Sequence, residues 1–238
     1  MPVTTNKQRI INQVFNALKK QYEPGEPAER PVLEQLLYAV LREGSTREQA
    51  DGAFRKLQDR FFDWNEIRVS SPHEIEEALD GLSNRAGRAQ RLVGLLQEIF
   101  ETTFSFDLES LHKKGLKQSA KQLGRYQSAN DYAVAWVLQQ TLGGHAIPLD
   151  EPTLRVLRRL GLLDESEAEN PESARASLEH QIPKARGPLF NELMSLVARD
   201  VCHEKVPNCP ACPLRTECPT GQENLANGAG RSSRPKPR

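Results

Sequence analysis

Four cysteines, and no others in 238 residues, fall at Cys202, Cys209, Cys212 and Cys218 in the spacing C-x6-C-x2-C-x5-C. Seventeen residues hold all four thiols, and Pro207, Pro210 and Pro213 stiffen the backbone between them. Thiolates gathered this tightly can converge on one point, which predicts a metal centre. The competing reading, two disulfides, requires an oxidising compartment. The N-terminal stretch MPVTTNKQRIINQVF has no apolar core of signal-peptide length, and nothing in the chain approaches a membrane span. A reducing, cytoplasmic setting is therefore expected, nucleoid-associated if the source is bacterial, with no membrane partner. Structural zinc usually pairs its ligands in two short knuckles, whereas only Cys209 and Cys212 form one here. The flanking arms of six and five residues suit a single loop around a cuboidal [4Fe-4S] cluster better. Structural zinc is the alternative, and His203 is a spare ligand that four cysteines make unnecessary.

The rest of the chain reads as helix. Leu33, Leu36, Leu37, Val40 and Leu41 repeat at i, i+3, i+4, i+7 and i+8, and Leu92, Leu95, Leu96, Ile99 and Phe100 do the same. Val134, Val137, Leu138 and Thr141 form a third stripe, Leu154, Leu157 and Leu160 begin a fourth, and Leu189, Leu193, Leu196 and Val197 form a fifth before the cysteines. No stretch alternates apolar and polar residues long enough for a strand, so the predicted fold class is all-α. Breaks fall at Glu23–Pro27, Ser70-Ser71-Pro72, Gly143-Gly144 and the acidic segment from Asp164 to Glu172. Beyond Cys218 the composition turns to Gly, Asn, Ser and Pro and closes on Arg231, Arg234, Lys236 and Arg238, which predicts a disordered basic tail over 219–238.

Charge is balanced overall, with 32 basic and 32 acidic side chains, so no global field announces a nucleic-acid partner. Locally it is uneven. From Ser110 to Ala129 the chain carries Lys113, Lys114, Lys117, Lys121 and Arg125 without one acid, and Arg85, Arg88 and Arg91 recur at helical spacing. Such patches neutralise backbone phosphates, although a solvated helix face has the same pattern. Trp64 and Trp136 read as core or as base-stacking platforms, with core favoured in so aromatic-poor a chain. Neither a phosphate-binding G-x-x-x-x-G-K-[ST] loop nor a G-x-S-x-G elbow is present, so nucleotide hydrolysis and serine esterase chemistry lack support. Asp150-Glu151-Pro152-Thr153 reads as a helix start, with Asp150 as N-cap and proline in the first turn.

The cysteine spacing resembles the iron–sulfur loop of the endonuclease III branch of the helix-hairpin-helix DNA glycosylases, and other stretches line up in the same order. Residues 31–41 resemble that family's first barrel helix, residues 85–92 its helix opened by a basic residue and an alanine, and Leu142–Asp150 followed by Arg155-Val156 the stretch ending in its catalytic aspartate. The resemblance spans roughly residues 30 to 218. It implies a two-lobed helical fold: 1–31 an N-terminal helix packing with the C-terminal lobe, 32–146 a six-helix barrel lobe with a degenerate hairpin, and 147–218 a second lobe carrying the [4Fe-4S] loop. It also implies a monomer acting on double-stranded DNA in base excision repair, with Asp150 as the catalytic carboxylate.

Three departures accompany the resemblance. Bifunctional members carry a Schiff-base lysine eighteen residues before the aspartate, where this chain has Tyr132; a phenol forms no imine, so a monofunctional glycosylase without AP-lyase activity is expected, with Tyr132 lining the base pocket. The family's L-P-G-x-G hairpin is Tyr126-Gln127-Ser128-Ala129-Asn130 here, without glycine, and a weaker phosphate grip is expected from Gln127, Ser128 and Asn130. Ser45 stands where a glutamine fills the gap left by the flipped base. The expected DNA contacts are thus Ser45, Arg88, Lys121, Arg125, Gln127, Ser128, Asn130 and, from the cysteine loop, Lys205 and Arg215. The alternative is a catalytically lapsed iron–sulfur protein of the same fold that binds DNA or senses redox state.

Overall fold

A computed structural model describes residues 2–25 and 27–232, leaving the side chains of 2–6, 165, 168 and 228–232 aside. Among the described residues the chain is helical and contains no strand, as the 3.6-residue periodicities require. It divides into two compact units, 26–150 and 1–25 joined with 151–238. The division falls at Gly25 and at Asp150, so residues 26–31 and 147–150 go with the barrel unit instead of the flanking segments to which the sequence reading gave them.

The unit 26–150 contains α2 (Val32–Arg42), α3 (Arg47–Arg60), α4 (Trp64–Val69), α5 (Pro72–Ala78), α6 (Arg85–Thr103), α7 (Leu116–Leu123) and α8 (Asp131–Gln140). The expected six-helix lobe thus has seven α-helices among the described residues, because 64–78 splits in two. Ser71 caps α5 reciprocally with Glu74, and Pro72 stands in the first turn, so α4 cannot run through. The leucine stripe of α2 is its buried face. Leu36, Leu37, Val40 and Leu41 are almost fully enclosed, and α2 packs chiefly on α8, with α3 and α6 beside it. Trp136 takes the core reading: its Nε1 donates to Gln35 Oε1 at 3.0 Å, while Trp64 lies half-buried, tilted on Phe54 at 5.8 Å.

The second unit holds α1 (Pro2–Leu18), α9 (Glu151–Arg159), α10 (Glu165–Glu169), α11 (Pro171–Gln181), α12 (Gly187–Asp200) and α13 (Pro219–Ser232). Helix α12 packs on α9, and Phe15 meets Phe190 at 6.0 Å between ring centroids. The inward face of α12 centres on Phe190, Leu193, Met194 and Val197, with Leu189 and Leu196 at its half-buried margin. The expected disordered tail is corrected from 219 to 232, which are helical. Proline opens α13, Gly221 and Gln222 donate their amides to Cys218, and the helix packs on α9 and on the 3-10 turn Cys209–Ala211. Residues 233–238, with Arg234, Lys236 and Arg238, lie outside the described residues. Among those described, no helix is long and apolar enough to cross a membrane.

Candidate active site and cysteine loop

In the barrel unit, α2 ends at Arg42 and turns through Glu43-Gly44-Ser45 into α3, whose N-cap is Thr46. Gly44 adopts φ +67°, a left-handed conformation that favours glycine. In that conformation its amide donates to Asp150 Oδ2 at 2.9 Å. Asp150 is 7% exposed. Gly144 donates its amide to Leu138 O, and Gln139 Nε2 donates to Ala146 O, which fixes the path from α8 to Asp150. Helix α9 begins at the next residue, in keeping with the helix-start reading of Asp150-Glu151-Pro152.

Tyr132 occupies the second position of α8 and is 5% exposed. Its ring stacks on Trp136 at 5.9 Å and 24°, and Tyr38 tilts against the same indole at 6.0 Å. The buried Arg42 guanidinium stands 5.7 Å from that indole and donates to Ser45 O. Burial holds the Tyr132 phenol well above its ordinary pKa; Arg42 opposes the shift, while Asp150, Glu43 and Tyr38 reinforce it. Tyr132, Arg42 and Asp150 therefore belong to one electrostatic neighbourhood. Sequence reasoning missed Arg42, Glu43 and Gly44; the glycine between two polar residues at the end of a leucine stripe was the available signal.

Two expected DNA contacts are instead internal. Arg88 is 6% exposed; its guanidinium donates to the carbonyls of Val40, Leu41, Glu43 and Ser83 and to Ser45 Oγ. It satisfies the open C-terminal carbonyls of α2, a geometry that leaves no face for phosphate. Burial pulls its pKa down, and the nearby Glu43 carboxylate resists that pull. Ser45 is likewise buried, its hydroxyl spent on Arg88 and its carbonyl on Arg42.

The hairpin residues are placed between α7 and α8. Asn130, at φ −85°, caps α8, accepting the Ala133 amide at 3.0 Å, and its Nδ2 donates to Glu43 Oε1 at 2.8 Å. Glu43 also pairs with Arg91 at 2.6 Å. The amides of Gln127 and Ser128 and the Ser128 hydroxyl all donate to the Glu98 carboxylate of α6. Lys121 and Arg125, from the acid-free run, are exposed.

In the other unit, two arginines of α9 staple the cysteine loop. Arg155 Nε donates to Cys202 O at 3.0 Å, and Arg159 reaches His203 O at 2.7 Å, Glu204 O at 2.8 Å and Cys202 Sγ at 3.3 Å. Asn224 Nδ2 stands 3.4 Å from Cys209 Sγ, and the Gly221 amide 3.3 Å from Cys218 Sγ. All four cysteines are free thiols. Burial pushes the Cys212 and Cys218 thiols up, with neighbouring cysteines adding to the effect and backbone amides at Leu214 and Gly221 opposing it. Among the described residues no three His, Cys, Asp or Glu side chains form a group that could hold a metal ion. Lys205 and Arg215 are exposed, with Arg215 Nη1 donating to Pro210 O at 3.2 Å.

No protein-family model matches the chain. Its helical fold is shared with solved endonuclease III structures. It aligns with a solved non-covalent endonuclease III–DNA complex at a TM-score of 0.70 and 19% identity, covering 92% of this chain and 98% of that one. A thermostable thymine-DNA glycosylase aligns at a TM-score of 0.65 and 14% identity, covering 94% and 100%. In sequence, the chain is 26% identical over 173 residues to the DNA glycosylase/AP lyase ROS1 of Arabidopsis thaliana; the match takes in 66% of this chain but only 12% of that protein's length.

Proposed function

We propose that this protein is a DNA N-glycosylase of base excision repair that works by water attack, without AP-lyase activity. The observation that carries the reading is the buried Asp150 carboxylate, oriented by the Gly44 amide at 2.9 Å and sharing its surroundings with a phenol instead of an amine. Breaking an N-glycosidic bond leaves positive charge on the sugar as the base departs with the bonding electrons. A fixed carboxylate in a sheltered site stabilises that charge, and water then adds to the sugar carbon while the proton it loses goes to the departed base, which leaves as the neutral species. Tyr132 cannot form the imine that strand cleavage requires. Its ring, stacked on Trp136, would form one wall of the base pocket. Lys121 and Arg125 supply exposed positive charge for the backbone of a duplex, and Lys205 and Arg215 offer the same charge on the cysteine loop.

The cysteine quartet is assigned to a [4Fe-4S] cluster, held by Cys202, Cys209, Cys212 and Cys218, which would order the loop that carries Lys205 and Arg215. N–H groups from Arg159, Asn224, Leu214 and Gly221 address the four sulfurs, and such contacts favour thiolate ligation; the four thiols are not gathered around one point among the described residues, so a cluster would have to draw them together as it binds. Structural zinc remains the competing occupant. A catalytically lapsed DNA-binding or redox-sensing protein is the second functional reading, favoured by the hairpin amides being taken up by Glu98. Incubating the purified protein with a panel of damaged and mismatched duplexes separates them: release of a free base supports the enzyme, and binding without release at any duplex supports the lapsed form.

A further inference from the structure

The turn Gln127-Ser128 presents three donors to one anion. The amides of both residues and the Ser128 hydroxyl converge on the two oxygens of Glu98, at 2.5, 3.1 and 2.6 Å. This is the geometry of a backbone oxyanion nest, and the nest is already filled by an anion from thirty residues away. The approach is close. A Cβ on Gly94, one helical turn before Glu98, would come within 2.3 Å of the Ser128 hydroxyl, so glycine there lets α6 carry the carboxylate right onto the turn. Arg91, on the same side of α6, donates to the Ser128 carbonyl at 3.4 Å. Beside the filled nest lies an open depression of about 590 Å³, lined in part by Glu98, Glu101, Arg125 and Gln127. A phosphate would have room to approach and a cation to meet, but its donors are spent.

We infer that Glu98 is an internal stand-in for a DNA phosphate: its carboxylate occupies the anion site of the hairpin and keeps the duplex backbone from using it. The inference rests on the DNA-binding reading above but concerns a different question, namely which residue sets the hairpin's share of duplex affinity. The two amides and the hydroxyl would otherwise hydrogen-bond one phosphate. With Glu98 in place they hold none, and the protein grips DNA through its exposed lysines and arginines alone.

The test is duplex affinity as a function of salt for the full-length protein and three variants, Glu98→Ala, Glu98→Gln and Glu101→Gln. Removing Glu98 should give the turn's uncharged donors one phosphate to hold, so the Glu98→Ala protein should bind duplex about tenfold more tightly than the parent, and the gain should persist as salt rises because these donors carry no charge to screen. Glu98→Gln keeps an acceptor oxygen for the turn and guards against a folding defect; it should shift the same way by a smaller amount. Glu101→Gln removes the same charge from the same depression without touching the turn, and its affinity should stay near the parent's. Equal gains in Glu98→Gln and Glu101→Gln would show a general charge effect and overturn the inference. So would parent-like affinities in both Glu98 variants, with the DNA-binding reading then intact. If neither parent nor variants bind any duplex, both fall together.

Discussion

The Gly44 amide donates to the Asp150 carboxylate at 2.9 Å across 106 residues of sequence. The bond exists because Gly44 turns left-handed at φ +67°, aiming an N–H that an ordinary helix end would direct elsewhere. An alanine at Gly44 would meet no close atom, its nearest neighbour being Arg88 Nη2 at 3.9 Å, so its cost is conformational. Gly44→Ala should lower stability by about 1–2 kcal/mol in urea melts. Excision should fall by more than the folded fraction does, because the carboxylate loses its aim. Unchanged excision at normal stability would show that the Gly44 bond does not orient Asp150 for chemistry.

Arg88 gives a second prediction, and its direction separates a structural arginine from a phosphate contact. Arg88→Met leaves the carbonyls at the end of α2 without their donor, at a cost of about 3 kcal/mol or more. The salt dependence of DNA binding should not change. A shallower salt slope with unchanged stability would return Arg88 to the DNA-facing surface.

Alkaline pH should destabilise the fold. Tyr22 is pushed up to about 12, chiefly by burial with Asp200 adding to it, and burial also raises Tyr38 and Tyr132. An unfolded tyrosine loses its proton near its ordinary value of about 10, whereas these three keep theirs in the folded chain. Between those values the unfolded state binds fewer protons, so unfolding free energy falls as pH rises. The contribution is fully present below about 10 and is lost through the raised native values. Urea melts from neutral to strongly alkaline pH, read alongside tyrosinate absorbance, check this: tyrosinate from the buried rings should appear together with unfolding and not before it.

The cysteine quartet predicts a coloured protein. Serine at Cys202, Cys209, Cys212 or Cys218 should each remove the visible charge-transfer absorption and iron content of anaerobically purified protein. Arg159→Met should weaken retention of the colour under mild oxidation, because that guanidinium donates to Cys202 Sγ and holds the carbonyls of His203 and Glu204. A colourless parent with stoichiometric zinc would replace the cluster assignment with a structural ion.

Much of the fold is legible in the sequence because its driving force is periodic. Each leucine stripe finds a helix, and Ser71-Pro72 and Gly143-Gly144 stop helices where their chemistry requires. What remained hidden depends on contacts between distant residues. Arg88 reads as one of three surface arginines, yet it shares a face with Leu92, Leu95 and Ile99, all buried; its i, i+4, i+7, i+11 register was the missed signal. Glu98 carries no distinguishing signal in the sequence, and only the meeting of α6 with a turn thirty residues later gives it a role. Pro219–Ser232 reads as irregular from its Gly, Asn and Ser content, but packing on α9 and the 3-10 turn at Cys209 outweighs weak intrinsic propensity.

Base release by the parent protein and by Asp150→Asn, with borohydride present throughout, tests the central claim most directly. Asparagine retains an oxygen for the Gly44 amide but carries no charge to stabilise the sugar cation. The account predicts that the parent frees a base from at least one duplex in the panel and yields no trapped covalent adduct. It predicts that the variant folds and binds that duplex while release drops by about two to four orders of magnitude. Equal release by the two proteins, or a borohydride-trapped adduct on the parent, would contradict it.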